Sequence, residues 1–230
     1  MIERIVPRYV AAVDAFADVP VPLLPEERRV AATLRAGRRE EFATVRHCAR
    51  LAGQRLGVAP FPLVPGATSA PGWPPGVVGS MTHCRGYRAA AVAHAASARA
   101  VGIDAEPHLA LPAGMLARIA RPEEQEQHRA LVARDGGVHW DRLLFCAKEA
   151  VYKVWSPLTG AWLGFLEATV SFSASSPAFR ARIHRAPPEG AGAVPTVLDG
   201  TWLARRGLLV AAIVVPNAPA GPGRACPSKV

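Results

Sequence analysis

The chain has 230 residues, half of them hydrophobic, which is enough to bury a core and excludes a disordered or fibrous protein. Lysine and arginine outnumber the acids 27 to 18, and the net charge of +9 favours an anionic partner: nucleic acid, a phosphorylated small molecule or an acidic protein. The apolar stretch over 208–215 is far too short to span a bilayer, so no membrane partner is expected. The opening MIERIVPRYV has an acid at position 3 and no sustained apolar run, and reads as carrying no signal peptide. Cys48, Cys84, Cys146 and Cys226 are scattered without a CxxC pattern and read as reduced thiols of a cytoplasmic protein.

In chain order, PVPLLP at 20–25 leads into a charged helix predicted over 26–56 and stopped by Gly57. Residues 58–76 are rich in proline and glycine and read as a loop. Three short strands follow over 77–82, 87–94 and 98–104, the first two joined tightly enough for a hairpin. After Pro107 the pattern becomes helical, with a charged segment over 122–133 and a stronger helix over 140–155, which Pro157 should stop. The latter carries Trp140, Leu143, Leu144, Ala147, Val151 and Val154 on one 3.6-residue stripe. Alternating strands over 167–172, 179–184, 198–204 and 208–215 complete the pattern, and 217–230 reads as a loose tail. The order helix, strands, helix, strands predicts an α+β fold of two similar halves, 1–105 and 106–216.

The chemistry concentrates in a few places. In VGIDAEP (101–107) an apolar strand ends in Asp104 with Glu106 two residues on, so both carboxylates face the same side. They form either a site for a hard divalent cation such as Mg²⁺ or a solvated acidic strand end. Only three of the 27 basic residues are lysine, and two of those, Lys148 and Lys153, flank Glu149 on the strong helix. A compact ammonium is a point charge suited to phosphate oxygens. Glu149 is then a third metal carboxylate or a general base; the plainer reading is a solvated Glu149–Lys153 pair of about 0.3–0.5 kcal/mol. Thr82 and His83 end an apolar strand, and His83 is either a phosphate donor or a structural histidine. Arg38, Arg39 and Arg46 lie on the early helix, with Arg38 and Arg46 near one face and able to hold a phosphate. An Mg²⁺-dependent phosphoryl enzyme fits these features best; a different enzyme of that class, such as a hydrolase or nuclease, stays open. A nucleic-acid-binding module lacks a recognition motif and interleaved aromatics.

Taken together and in order, VGSMTHCRGY (78–87), VGIDAEP (101–107) and WDRLLFCAKEAVYKVW (140–155) resemble the 4′-phosphopantetheinyl transferases of the surfactin- and enterobactin-synthetase type. EEFATVRHCAR (40–50) is similar to that family's early helix. The resemblance implies a pseudo-dimer of two α/β subdomains with coenzyme A in the cleft between them. It implies Asp104, Glu106 and Glu149 as Mg²⁺ ligands (with Mn²⁺ as an alternative), and Glu149 as the base for the serine of a carrier protein. Lys148, Lys153 and His83, with the neighbouring Thr82, are implied on the coenzyme A phosphates, and Arg46 and Arg38 on the 3′-phosphate. The expected reaction moves phosphopantetheine from coenzyme A to an acyl, aryl or peptidyl carrier protein and releases adenosine 3′,5′-bisphosphate. A monomer with no nucleic-acid partner is expected. One stretch departs from the family: where relatives carry a basic residue and a Gly-(Lys/Glu)-Pro turn, this chain has Thr68-Ser69-Ala70-Pro71, which predicts a weaker dependence on the 3′-phosphate.

Overall fold

The computed structural model describes residues 1–66 and 71–217. Its strands are β1 (Ala11–Ala15), β2 (Val77–Cys84), β3 (Tyr87–His94), β4 (Ala98–Pro107), β5 (Ala168–Phe172), β6 (Ala178–Ile183), β7 (Val197–Arg205) and β8 (Leu208–Pro216). Its helices are α1 (Pro25–Ala31), α2 (Ala36–Arg55), α3 (Met115–Ile119), α4 (Pro122–Arg134) and α5 (Trp140–Thr159). The fold is α+β, with two fully antiparallel sheets ordered β1-β3-β2 and β4-β8-β7-β6-β5. No helix among the described residues is long and apolar enough to cross a membrane.

Each sheet carries a long helix on one face. On the first, Ala90 and Val92 of β3 pack towards Cys48, Ala49 and Ala52 of α2. On the second, Leu209, Ala211 and Ile213 of β8 pack on the stripe of α5. The remaining faces meet: Tyr87, Ala89, Ala91 and Ala93 of β3 share a core with Val101, Ile103 and Ala105 of β4 and with Val210 and Ala212 of β8. β3 is buried on both faces, which is why its sequence reads as a continuous apolar run and not as an alternation. The seam between the sheets is sealed by hydroxyls. Ser80 Oγ accepts the Ile103 N–H at 3.1 Å and Thr82 Oγ1 the Ala105 N–H at 3.0 Å, so the outer edge of β4 is not left unpaired.

The structure revises several expectations. The helix expected over 26–56 is two helices, broken at 32–35. Thr33 donates its hydroxyl back to the Val30 carbonyl, while Arg39 Nε caps Ala31 and Nη2 caps Leu34. The side chains thus satisfy a helix end that periodicity alone would run through. α5 does not stop before Pro157 but carries it in its final turn and ends at Gly160, whose φ of 67° closes the helix with an N–H to the Ser156 carbonyl. β1 went unpredicted: only five residues long, it is recruited by pairing with β3. The division placed at 105/106 cuts through β4, whose residues from Ala98 to Pro107 pair along β8; by sheet membership the second half begins at 98. The halves are alike in plan, a helix on an antiparallel sheet, but unequal, with three strands against five. The expected loose tail lies outside the described residues beyond Asn217, as does the turn at Thr68–Ala70.

Candidate active site

A cleft of about 450 Å³ lies between α2 and β2 on one side and α5 on the other. From α2 it takes Arg38, Phe42, Val45 and Arg46, and from α5 Glu149, Tyr152, Lys153, Ser156 and Pro157. Both sets follow helical spacing, so each helix turns one face to its sheet and another to the cleft. β2 contributes Gly79, Ser80, Met81 and His83. A smaller recess of about 190 Å³ opens beside it, sharing Glu149 and Tyr152 and walled by Trp162, Leu163 and Phe165.

Asp104 sits buried near the end of β4. Its Oδ1 accepts from Thr82 Oγ1 at 3.1 Å and from Lys153 Nζ at 2.7 Å, and Lys153 also donates to the Ile103 carbonyl at 3.0 Å. Its Oδ2 is buried with no hydrogen-bond partner. Two residues on, Glu106 holds Arg142 Nη1 through Oε2 at 2.9 Å. The Glu149 side chain makes no hydrogen bond among the described residues and lines both the cleft and the recess. Burial first, and then the charge of Asp104, raise the pKa of both Glu106 and Glu149 above the ordinary carboxylate value; Arg142 opposes this at Glu106 and Lys153 at Glu149.

The donor chemistry here fits a hard divalent cation. All the donors are carboxylate oxygens, and the buried, unpartnered Asp104 Oδ2 is an acceptor without its complement. The acids do not form a closed cage: Asp104 pairs with Lys153 and Glu106 with Arg142, and among the described residues no three His, Cys, Asp or Glu side chains are gathered as a ready-made metal site.

The phosphate-binding candidates divide into three groups. Arg38, Arg46, His83 and Lys153 all line the cleft. Arg46 is buried, its Nε on the Leu63 carbonyl at 2.6 Å, Nη1 on the Phe42 carbonyl at 3.2 Å and its guanidinium over the Phe42 ring; burial lowers its pKa to about 10, and Nη2 keeps no partner among the described residues. Burial, with Arg38 beside it, pushes the His83 pKa down to about 4, so the ring is neutral at pH 7 and can donate without carrying charge. Thr82 is different. It is buried, and its hydroxyl is used up between Asp104 and the Ala105 N–H, so it orients the acid and does not reach a phosphate.

Lys148 also departs from expectation. Its Nζ faces Glu124 Oε2 at 2.7 Å and the carbonyls of Phe165, Ile119 and Ala168 at 2.7, 2.8 and 2.8 Å. An ammonium has three N–H donors, so four buried acceptors leave none for a phosphate. The reason is rotational: Lys148 follows Leu144 by four residues and precedes Val151 by three, which places it on the buried stripe of α5, while Glu149 falls on the cleft face.

Two partners of these residues were missed. Glu41 takes Arg38 Nη1 at 2.9 Å and Arg88 Nη2 at 3.3 Å and stands 3.8 Å from His83 Nε2, tying the basic wall together. Arg142 holds Glu106. Glu41 lies one turn after Arg38, a spacing visible in the sequence; the pairing of Arg142 with Glu106 spans 36 residues and leaves no sequence signal.

Residues 25–93 match the family model for the 4′-phosphopantetheinyl transferase N-terminal domain, and residues 100–192 that for the 4′-phosphopantetheinyl transferase superfamily. The chain is 50% identical over 225 residues to the 4′-phosphopantetheinyl transferase Svp of Streptomyces mobaraensis, covering 96% of this chain and 91% of Svp. It is 46% identical over 211 residues to PptT of Mycobacterium tuberculosis (89% and 92% covered) and 44% identical over 223 residues to Npt of Nocardia iowensis (93% and 99% covered).

Proposed function

As the chain belongs to the 4′-phosphopantetheinyl transferase superfamily, we propose that it moves phosphopantetheine from coenzyme A to a serine of an acyl, aryl or peptidyl carrier protein, releasing adenosine 3′,5′-bisphosphate. The observation that carries this reading is the cleft itself. One wall presents Arg38, Arg46 and His83, the other Lys153 and Glu149, and the Glu149 carboxylate is free. Cations on both walls suit phosphate oxygens, and an unpaired carboxylate suits the removal of a proton.

In this reading Lys153 and the neutral His83 hold the phosphates of the pyrophosphate, and Arg46 Nη2 with Arg38 holds the 3′-phosphate. Glu149 takes the proton from the carrier serine as its oxygen attacks the β-phosphate, directly or through a water. Its carboxylate has no side-chain partner among the described residues and lines the cleft, which leaves it available as a proton acceptor. Asp104, Glu106 and Glu149 would hold Mg²⁺, or Mn²⁺, which when bound supplies neutralisation of charge on the phosphate oxygens. Cys48, Cys84 and Cys146 are free thiols, in keeping with a cytoplasmic location.

Incubating the protein with coenzyme A, Mg²⁺ and a panel of apo carrier proteins should add one phosphopantetheine to each accepted carrier by mass spectrometry. Asp104→Ala should nearly abolish the gain. Phosphate release or nucleotide cleavage with every carrier left unmodified would overturn the reading. Full activity of Asp104→Ala in EDTA would remove the metal from it.

A further inference from the structure

Arg142 spends its whole guanidinium on a short stretch of chain. Nη1 donates to Glu106 Oε2 at 2.9 Å, Nε to the Leu109 carbonyl at 3.1 Å and Nη2 to the Ala110 carbonyl at 3.1 Å. The preceding residue grips the same segment, with Asp141 Oδ2 accepting the Leu111 N–H at 2.7 Å. The first turn of α5 is therefore fastened to residues 106–111 through four hydrogen bonds, and the guanidinium cannot swing without releasing two carbonyls. Glu106 Oε1 is left with no hydrogen-bond partner among the described residues.

Asp104 is handled in the same way. Thr82 and Lys153 both take Oδ1, and Oδ2 is left buried and unpartnered. In both acids a fixed protein donor occupies one oxygen and the other oxygen stays free.

We propose that Arg142 is a positioning residue for metal binding: it locks Glu106 by one carboxylate oxygen so that Oε1 is presented as the ligand, as Lys153 does for Asp104. This rests on the reading of Asp104, Glu106 and Glu149 as the metal ligands. A cation beside a metal site costs affinity by repulsion. Orientation of the ligand outweighs repulsion, and removing Arg142 weakens metal binding. Partners that orient a ligand from behind are typically worth about 10–100-fold in metal affinity.

The test is Mn²⁺ binding, followed by the electron paramagnetic resonance of free Mn²⁺ in the presence of saturating coenzyme A. Arg142→Gln should raise the Mn²⁺ Kd about tenfold, with coenzyme A affinity in EDTA unchanged. Arg142→Lys retains charge but cannot span three acceptors, and should fall between the two; it also serves if Arg142→Gln folds poorly. Mn²⁺ binding equal to or tighter than wild type in either folded variant overturns the proposal. Asp104→Asn separates the two readings: if it binds Mn²⁺ as wild type does, or if wild type binds none, the carboxylate metal site itself falls and this proposal with it.

Discussion

Lys148 and Lys153 stand five residues apart on α5 and end in opposite surroundings. The ammonium of Lys153 bridges Asp104 and the Ile103 carbonyl at the cleft, whereas that of Lys148 is sealed among four acceptors below the recess. Burial lowers the Lys148 pKa from the ordinary lysine value, and the Glu124 carboxylate opposes that shift. Lys148→Met should therefore act chiefly through stability. Glu124, itself buried, would lose its counter-charge, and breaking a buried pair from one side costs about 3–5 kcal/mol. Urea unfolding checks this; a loss below about 1 kcal/mol together with a sharply raised KM for coenzyme A would restore a phosphate-binding role. Scarcity of lysine drew attention to both residues, and it could not divide them, because the division depends on which side of α5 faces the second sheet.

At the scale of elements, β4 and α5 carry the acids and the cleft-facing lysine, and they meet unusually closely. A Cβ on Gly102 would fall on the Ala150 carbonyl oxygen and 2.8 Å from Val154 Cγ2. This contact, and not any special φ, is what the glycine of VGIDAEP serves. Gly102→Ala must push α5 away from β4, and so Lys153 away from Asp104. The expected cost is about 1–3 kcal/mol or more in stability, with a loss of turnover at temperatures where the protein is still folded. Unaltered kcat in a variant with lowered Tm would show that the spacing of these elements does not set the site. The strands over 87–94 and 208–216 were legible because continuous apolar runs bounded by turns have few other structures open to them. The break between α1 and α2 was not legible, since side-chain capping by Thr33 and Arg39 leaves the periodicity intact. Pro157 misled for a related reason: in a last turn it forfeits one hydrogen bond and keeps a helical φ, so the packing of α5 carries it.

For the whole molecule, the excess of nine positive charges should steer acidic partners to the cleft. Raising ionic strength should raise the KM for the carrier protein several-fold and that for coenzyme A less, because salt screens exposed charges more than partly buried ones. Initial rates across a salt series check this; the reverse order would place the net charge in service of the small substrate.

The family resemblance, the α+β order of elements and the helical spacing that puts Arg38 and Arg46 on one face were readable in the chain, because motif spacing and helical or strand periodicity are local properties. Packing set the rest: buried partners take up Lys148 and Thr82, β4 pairs along the second sheet, and Arg142 and Lys153 each hold one oxygen of a carboxylate. Those outcomes depend on which groups are buried against each other across 22 to 49 residues for the side-chain contacts, and across longer separations for β4 with β8. A buried polar group takes whatever partner the packed core brings to it, and no local pattern records that choice.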